Sequence, residues 1–139
     1  MIETNGLEVP YIELPTKVLR RLQAEFELAV FEPVFNGGTE DPEILEALAA
    51  AYYNLEMFDD AISIDSRWAG ILPFAAGPHY EMARAYAATR MTSEALEALG
   101  KAISLGFEDF ERLAADPAFD SVRKLSEFKA MIESTGNVI

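Results

Sequence analysis

LAAAYYNLEMFDDA, residues 48–61, returns in altered form as MARAYAATRMTSEA, residues 82–95. Leu48, Ala49, Tyr52 and Ala61 are echoed 34 positions later by Met82, Ala83, Tyr86 and Ala95. Self-similarity at such a period marks one supersecondary unit, two helices and a turn, repeated along the chain. A single unit cannot bury its apolar face, so units stack, and the stack offers a concave surface. Such a surface is better suited to holding a ligand than to converting one.

The residues flanking these stretches punctuate helices. Asp41-Pro42 reads as an acidic cap followed by proline at the first helical position, where a missing N–H costs nothing. The helix it opens is expected to run to about residue 55, with Leu45, Leu48, Ala49 and Tyr52 on one face. Glu56-Met57 make a turn. Residues 58–72 form a second helix that buries Ala61, Ile62, Trp68 and Ile71 and is closed by Pro73. Pro78 starts the next helix, with Met82, Ala83 and Tyr86 inward. Its partner follows Arg90-Met91-Thr92, turns Ala95, Leu96, Leu99, Ala102 and Ile103 inward, and ends at Gly106.

Upstream, Thr16 reads as the N-cap of a helix over residues 16–35, in which Val18, Leu19, Leu22, Phe26, Ala29 and Val30 recur at helical spacing. Pro33 is expected to end or kink it, and Asn36-Gly37-Gly38 to form a break. Residues 1–15, with Pro10 and Pro15, read as an extended arm whose Tyr11, Ile12 and Leu14 pack on that helix. Downstream, Phe107, Phe110 and Leu113, then Phe119, Val122, Leu125, Phe128, Met131 and Ile132, indicate capping helices over residues 110–133. Asp116-Pro117 repeats the cap-plus-proline start, and residues 134–139 are expected to fray.

Composition narrows the function classes. Half of the 139 residues are hydrophobic, enough for the core of one domain. Alanine, leucine and glutamate dominate, which favours helix. The 24 acidic against 11 basic residues give a formal net charge of −13. That excess disfavours nucleic acid and anionic membrane, whose binding relies on lysine and arginine, and biases encounter towards basic partners. The absence of cysteine excludes disulfides and thiolate sites. No secretory signal and no membrane-length apolar run is visible, so the expected location is the cytoplasm.

The two repeats resemble the tetratricopeptide family, over roughly residues 42–132. The family pattern places leucine, a small residue and tyrosine on the first helix, then alanine, an aromatic and proline on the second. Leu48-Ala49, Tyr52, Ala61 and Pro73 fit it in residues 42–75, as do Met82-Ala83, Tyr86 and Ala95 in residues 76–109. Departures are visible too. Leu45 and His79 stand where the family has tryptophan, Asp65 and Leu99 where it has an aromatic, and Phe107 where the second proline would fall. The resemblance implies an all-α fold, a short right-handed α-α superhelix with an N-terminal helix and capping helices. The closing segment is similar to that of many bacterial members, which implies a bacterial source.

In this family, outward positions of each repeat's first helix line the concave groove. By register these are Glu43, Glu46, Ala50, Tyr53 and Asn54, joined by Tyr80, Glu81, Arg84 and Ala87 of the second repeat. The resemblance thus implies a non-catalytic interaction module that binds a peptide segment of another protein, basic or carboxylate-bearing, with Tyr53, Asn54, Tyr80 and Arg84 as anchors. Acidic chaperone termini do not suit it, because Glu46 and Glu81 would repel them. Neither nucleic acid, membrane, metal nor cofactor is expected. His79, the one histidine, has no recognisable nucleophile or orienting partner and reads as a surface or groove-rim residue. Asp59, Asp60 and Asp65 lack the pattern of a calcium loop and read as solvation of a helix start. Asn36-Gly37-Gly38 lacks the Gly-Lys-Ser/Thr of a phosphate cradle. Lys17, Arg20 and Arg21 are expected to pair with Glu13 and Glu25. Trp68 reads as a core residue. The alternatives are a homo-oligomer formed through the ends of the module or through Trp68, and a dedicated adaptor or chaperone for a secreted or assembling partner.

Overall fold

Local chemistry sets where each helix of this chain starts and stops. The computed structural model describes residues 3–4, 7–8 and 13–136, with side chains from 13 to 134. Glu3–Thr4 (β1) and Leu7–Glu8 (β2) pair antiparallel, Glu3 opposite Glu8. The expected arm thus contains a pair of two-residue strands, while Tyr11 and Ile12 lie outside the described residues. The rest of the described chain is helical: α1 (Thr16–Asn36), α2 (Pro42–Asn54), α3 (Phe58–Ile71), α4 (Gly77–Ala88), α5 (Thr92–Ser104), α6 (Phe110–Ala115), a 3-10 turn (Pro117–Phe119) and α7 (Ser126–Gly136). The all-α expectation holds. From α1 to α5 each helix packs on its neighbours in sequence.

Asp41 caps α2 as expected, its carboxylate accepting from the Glu43 N–H at 3.0 Å. Asp116 does the same for the 3-10 turn through the Ala118 N–H. Pro15 rather than Thr16 occupies the N-cap of α1, with no side-chain cap. Pro33 does not end that helix. Its missing N–H removes one bond, but its carbonyl still accepts from Gly37 at 3.0 Å, and α1 continues to Asn36. At the other end α7 reaches Gly136 instead of fraying at Ser134.

The repeat is written into the backbone as well as the side chains. Glu56 and Arg90, 34 residues apart, have φ of 60° and 62°, the left-handed conformation that follows a helix end. In both turns the next N–H reaches back five residues, from Met57 to the Tyr52 carbonyl and from Met91 to that of Tyr86, each at 2.9 Å. Gly106, at φ 106°, closes α5 the same way, with Phe107 bonded to the Ala102 carbonyl.

Two apolar clusters fill the interior. Leu45, Leu48, Ala49 and Tyr52 of α2 meet Ala61, Ile64 and Trp68 of α3, with Leu28, Phe31 and Phe35 of α1 against them. Tyr80, Ala83, Ala95, Leu99 and Ala102 meet Leu113, Phe119, Val122 and Phe128 of the tail. The alanines at 49, 61, 83 and 95 are all buried, which lets the helix pairs approach closely. The Tyr52 hydroxyl donates to Glu32 at 2.9 Å and ties α2 to α1. Burial, then that bond, push its phenol up to about 12. Trp68 is core as expected, and it packs so closely on Gly77 that a β-carbon there would fall 2.9 Å from the indole.

Two expectations are overturned. Asp65 does not solvate a helix start but is 2 % exposed, in the inward stripe of α3 with Ala61 and Trp68. On α1, the residues expected to pack are the ones left outside: Val18, Leu19, Leu22, Phe26, Ala29 and Val30 are all exposed. That helix carries two apolar faces, and only the one with Ala24, Leu28, Phe31 and Phe35 meets the repeats. Among the described residues, no helix is long and apolar enough to cross a membrane.

Candidate binding cleft

The inner surface of α2 and α4 closes over a cavity of about 180 Å³. Its lining includes six of the nine residues placed in a groove by register: Glu46, Ala50, Tyr53, Asn54, Glu81 and Arg84. Ala49, Asp65 and Arg112 complete it. An open cleft of about 800 Å³ continues from it, sharing Tyr53, Asn54 and Arg84. Its walls come from Lys17 and Arg20 of α1, Ala87 and Arg90 of α4 and its following turn, and Ala118, Asp120 and Ser121 near the 3-10 turn.

Arg84 is the hub. Its guanidinium lies 4.3 Å above the centre of the Tyr53 ring, while its Nε donates to Asp116 at 2.9 Å and Nη1 to Glu81 at 3.0 Å. The other Glu81 oxygen accepts from Arg112 at 3.0 Å. Tyr53 in turn meets Phe58 edge-on, 5.2 Å between centres. Burial alone would lower the guanidinium pKa. The charges of Glu81, Tyr53 and Asp116 outweigh it and hold the pKa above its ordinary value. A tail side chain thereby fixes the orientation of a cleft residue, something sequence spacing alone does not reveal.

Tyr80 and Ala87 correct the register-based site. Tyr80 is 1 % exposed: its ring stacks on Phe107 at 4.3 Å, Arg112 covers it at 4.5 Å, and its hydroxyl donates to Asp116 at 2.7 Å. It is a core residue and cannot present its face to a peptide. The cause is the tail, whose Phe107, Arg112 and Asp116 enclose the ring and hydroxyl. Ala87 is buried beneath the larger cleft, and Glu43 is exposed but lines neither cavity. Among the described residues, the expected pairing of the basic cluster is found for Arg21 with Glu25, at 3.3 Å. Lys17 and Arg20 face the cleft instead.

Asp65 is the residue of greatest chemical consequence. One of its carboxylate oxygens has no hydrogen-bond partner. Burial, then the charges of Glu81 and Glu46 against that of Arg84, push its carboxyl from 3.8 up to about 8. Its register offered a signal, since it stands where the family that the sequence resembles carries an aromatic. Around the cavity the two guanidiniums are taken up by Glu81 and Asp116. Asp65, with its raised pKa, holds a proton near neutral pH, and Glu46 is left without a described counter-ion, so the excess negative charge of the lining rests on Glu46.

His79 sits away from this cleft, half-buried between α4 and α5 beside Met82, Tyr86, Glu97 and Lys101. Desolvation, then Lys101, lower its imidazole pKa. It is therefore not a rim residue of the groove. Among the described residues, no group of three or more histidine, aspartate or glutamate side chains is arranged to hold a metal ion. No family model, curated protein or solved structure matches this chain.

Proposed function

We propose that this protein is a non-catalytic interaction module that captures a peptide segment of another protein in the cleft between α2, α4 and the tail. The observation that carries this reading is the convergence of Glu46, Ala50, Tyr53, Asn54, Glu81 and Arg84 on one cavity that opens into a longer cleft. The 34-residue echo and the recurring turn support a tetratricopeptide-like right-handed superhelix as its framework. The uncompensated carboxylate of Glu46 favours a basic residue in the bound segment, in keeping with the net charge of −13. Tyr53 supplies rigid contact area and Asn54 an exposed amide for the peptide backbone. A cytoplasmic location and a bacterial source go with this reading and rest on the sequence.

The test is selection from a displayed random-peptide library, wild type against Ala50→Arg. Ala50 is exposed on the cavity wall, so the longer cation fills the site while the core is untouched. Wild type is expected to enrich peptides carrying lysine or arginine, with affinity of about micromolar. The variant, melting as wild type does, is expected to lose them. Enrichment of the same peptides by both, or of none by wild type, refutes the cleft.

A self-associating module is the reading favoured by a second observation, the exposed apolar face of α1. Trp68 is not its vehicle, because Trp68 is buried. Service as a dedicated adaptor or chaperone is compatible with the same cleft.

A further inference from the structure

Asp65 lies where a carboxyl is costly. It is 2 % exposed, in the wall of the cavity of about 180 Å³, and one of its oxygens has no hydrogen-bond partner. Leaving a buried polar group unbonded costs its full desolvation. The cavity is large enough for a side chain, far more than one water needs. Its mouth and its depth differ. Tyr53, Asn54 and Arg84 also line the open cleft of about 800 Å³, whereas Glu46, Asp65 and Glu81 line only the small cavity. A chain lying in the cleft can therefore reach Asp65 with one side chain.

The lining selects the tip of that side chain. Arg84 is held by Glu81 and Asp116, and Arg112 by Glu81, so neither guanidinium is free to receive an anion. The open groups are acceptors: the Asp65 carboxyl, the Glu46 carboxylate and the Asn54 amide oxygen. They call for a donor with positive charge. An ammonium brings three donors on a compact charge and a slender stem. A guanidinium brings five in a rigid plane, and the places that would favour it are occupied. Arg84 already covers the Tyr53 ring at 4.3 Å, and the two Glu81 oxygens already accept from Arg84 and Arg112, each at 3.0 Å.

We propose that this cavity is a lysine pocket, in which the ε-ammonium of one lysine of the captured segment passes Tyr53 and Asn54 and donates to Asp65 and Glu46. The proposal rests on the cleft reading for the chain that carries the lysine. Docking is coupled to a proton. The charged groups that share the cavity with Asp65 are Glu46 of α2, Glu81 and Arg84 of α4 and Arg112 of α6, beside the Tyr53 phenol, which burial raises. Burial, then Glu81 and Glu46 against Arg84, raise the Asp65 carboxyl to about 8, so near neutral pH it holds a proton. An ammonium beside it favours the ionised form, and the proton leaves to solvent as lysine enters. Affinity should therefore rise from pH 6 to pH 8, by up to about tenfold per unit.

The test uses the full chain and three pools of random nonapeptides that differ only at the central position. That position is lysine, arginine, or norleucine, which keeps the lysine stem without its charge. At pH 8 the lysine pool should bind at least about tenfold more tightly than the norleucine pool, with arginine between them. Asp65→Asn, which keeps the shape, should lower the lysine pool to the norleucine level and flatten its pH dependence. Glu46→Gln, at an exposed position that spares the core, should weaken the lysine pool and leave the norleucine pool unchanged. Equal binding of the three pools overturns the lysine pocket and leaves the cleft reading standing. A lysine preference that survives Asp65→Asn overturns the role of Asp65. With no pool bound, the cleft reading fails, and n-butylamine decides the pocket through the carbon-13 signal of the Asp65 carboxyl. A signal that moves assigns the pocket to a free alkylamine, and one that stays overturns the ammonium site.

Discussion

Replacing Asp65 with asparagine should make the protein more stable, and increasingly so as pH rises. The carboxyl ionises near 3.8 in an open chain and near 8 in the fold. Between those values the folded state holds a proton that the unfolded state has released. Folded stability therefore falls with rising pH, by about 1.4 kcal/mol per pH unit for this one group. This is opposite in sign to the familiar salt-bridged aspartate. Asparagine keeps the shape and carries no charge, so the difference between wild type and variant isolates the group from every other titration. From pH 5 to pH 7 the variant's margin should grow by about 2–3 kcal/mol, the product of two pH units and that slope. The assay is urea unfolding at pH 5, 6 and 7, followed by far-ultraviolet circular dichroism and by the fluorescence of Trp68, the one tryptophan, on the same helix. A margin that stays constant with pH would mean that Asp65 is ionised and satisfied in the fold. That result would place a second negative charge in the cavity, beside that of Glu46.

Three further substitutions probe the supports and walls of the cleft. Tyr80→Phe leaves the ring stacked on Phe107 but deletes the hydrogen bond to Asp116, and should cost about 1.5–3 kcal/mol at pH 7, read from urea midpoints. Burial pushes the Asp116 carboxyl up, yet the bonds from Tyr80 and the Ala118 N–H, with Arg84, outweigh it and hold it below the usual range. The stability this group contributes is present above its unfolded pKa near 3.8 and is lost as pH falls through the lower folded value. The cost of the variant should accordingly shrink in strong acid. Glu56→Gly and Arg90→Gly each relieve a left-handed residue at a helix end and should stabilise by about 0.5–1 kcal/mol. A loss at either site, read by thermal melting, would mean that its side chain contributes more than its backbone strain costs.

Residues 42–106 were legible because their information is local and repeated. Helix starts came from Asp41-Pro42 and Pro78, a helix end from Gly106, and inward faces from alanines and leucines at helical spacing. Six of the residues that the family resemblance implied for a groove, carried over by register, line one cavity. Tyr80 defeated that logic. Its register is a groove position, but Phe107, Arg112 and Asp116 of the tail enclose it. Asp65 was misread because a carboxylate near a helix start is usually solvated, and its burial depends on α4 closing over α3. For α1, the periodicity was correct about helix and wrong about direction, because a helix with two apolar faces does not say which one finds a neighbour.

The amino-acid sequence by itself determined that the chain is all-α, the order of its main helices from residue 16 to residue 106, and a unit that recurs after 34 residues. Those properties follow from short-range rules of capping, backbone freedom and periodic apolarity. Only the tertiary structure decided which apolar face of α1 stays outside, that the tail sits on Tyr80, and that Arg84 is held between Glu81 and Asp116. Each of these depends on groups more than 30 residues apart or on a choice between two equivalent surfaces. The energies that settle such choices, burial of area and pairing of charge, are defined only once the helices are in place.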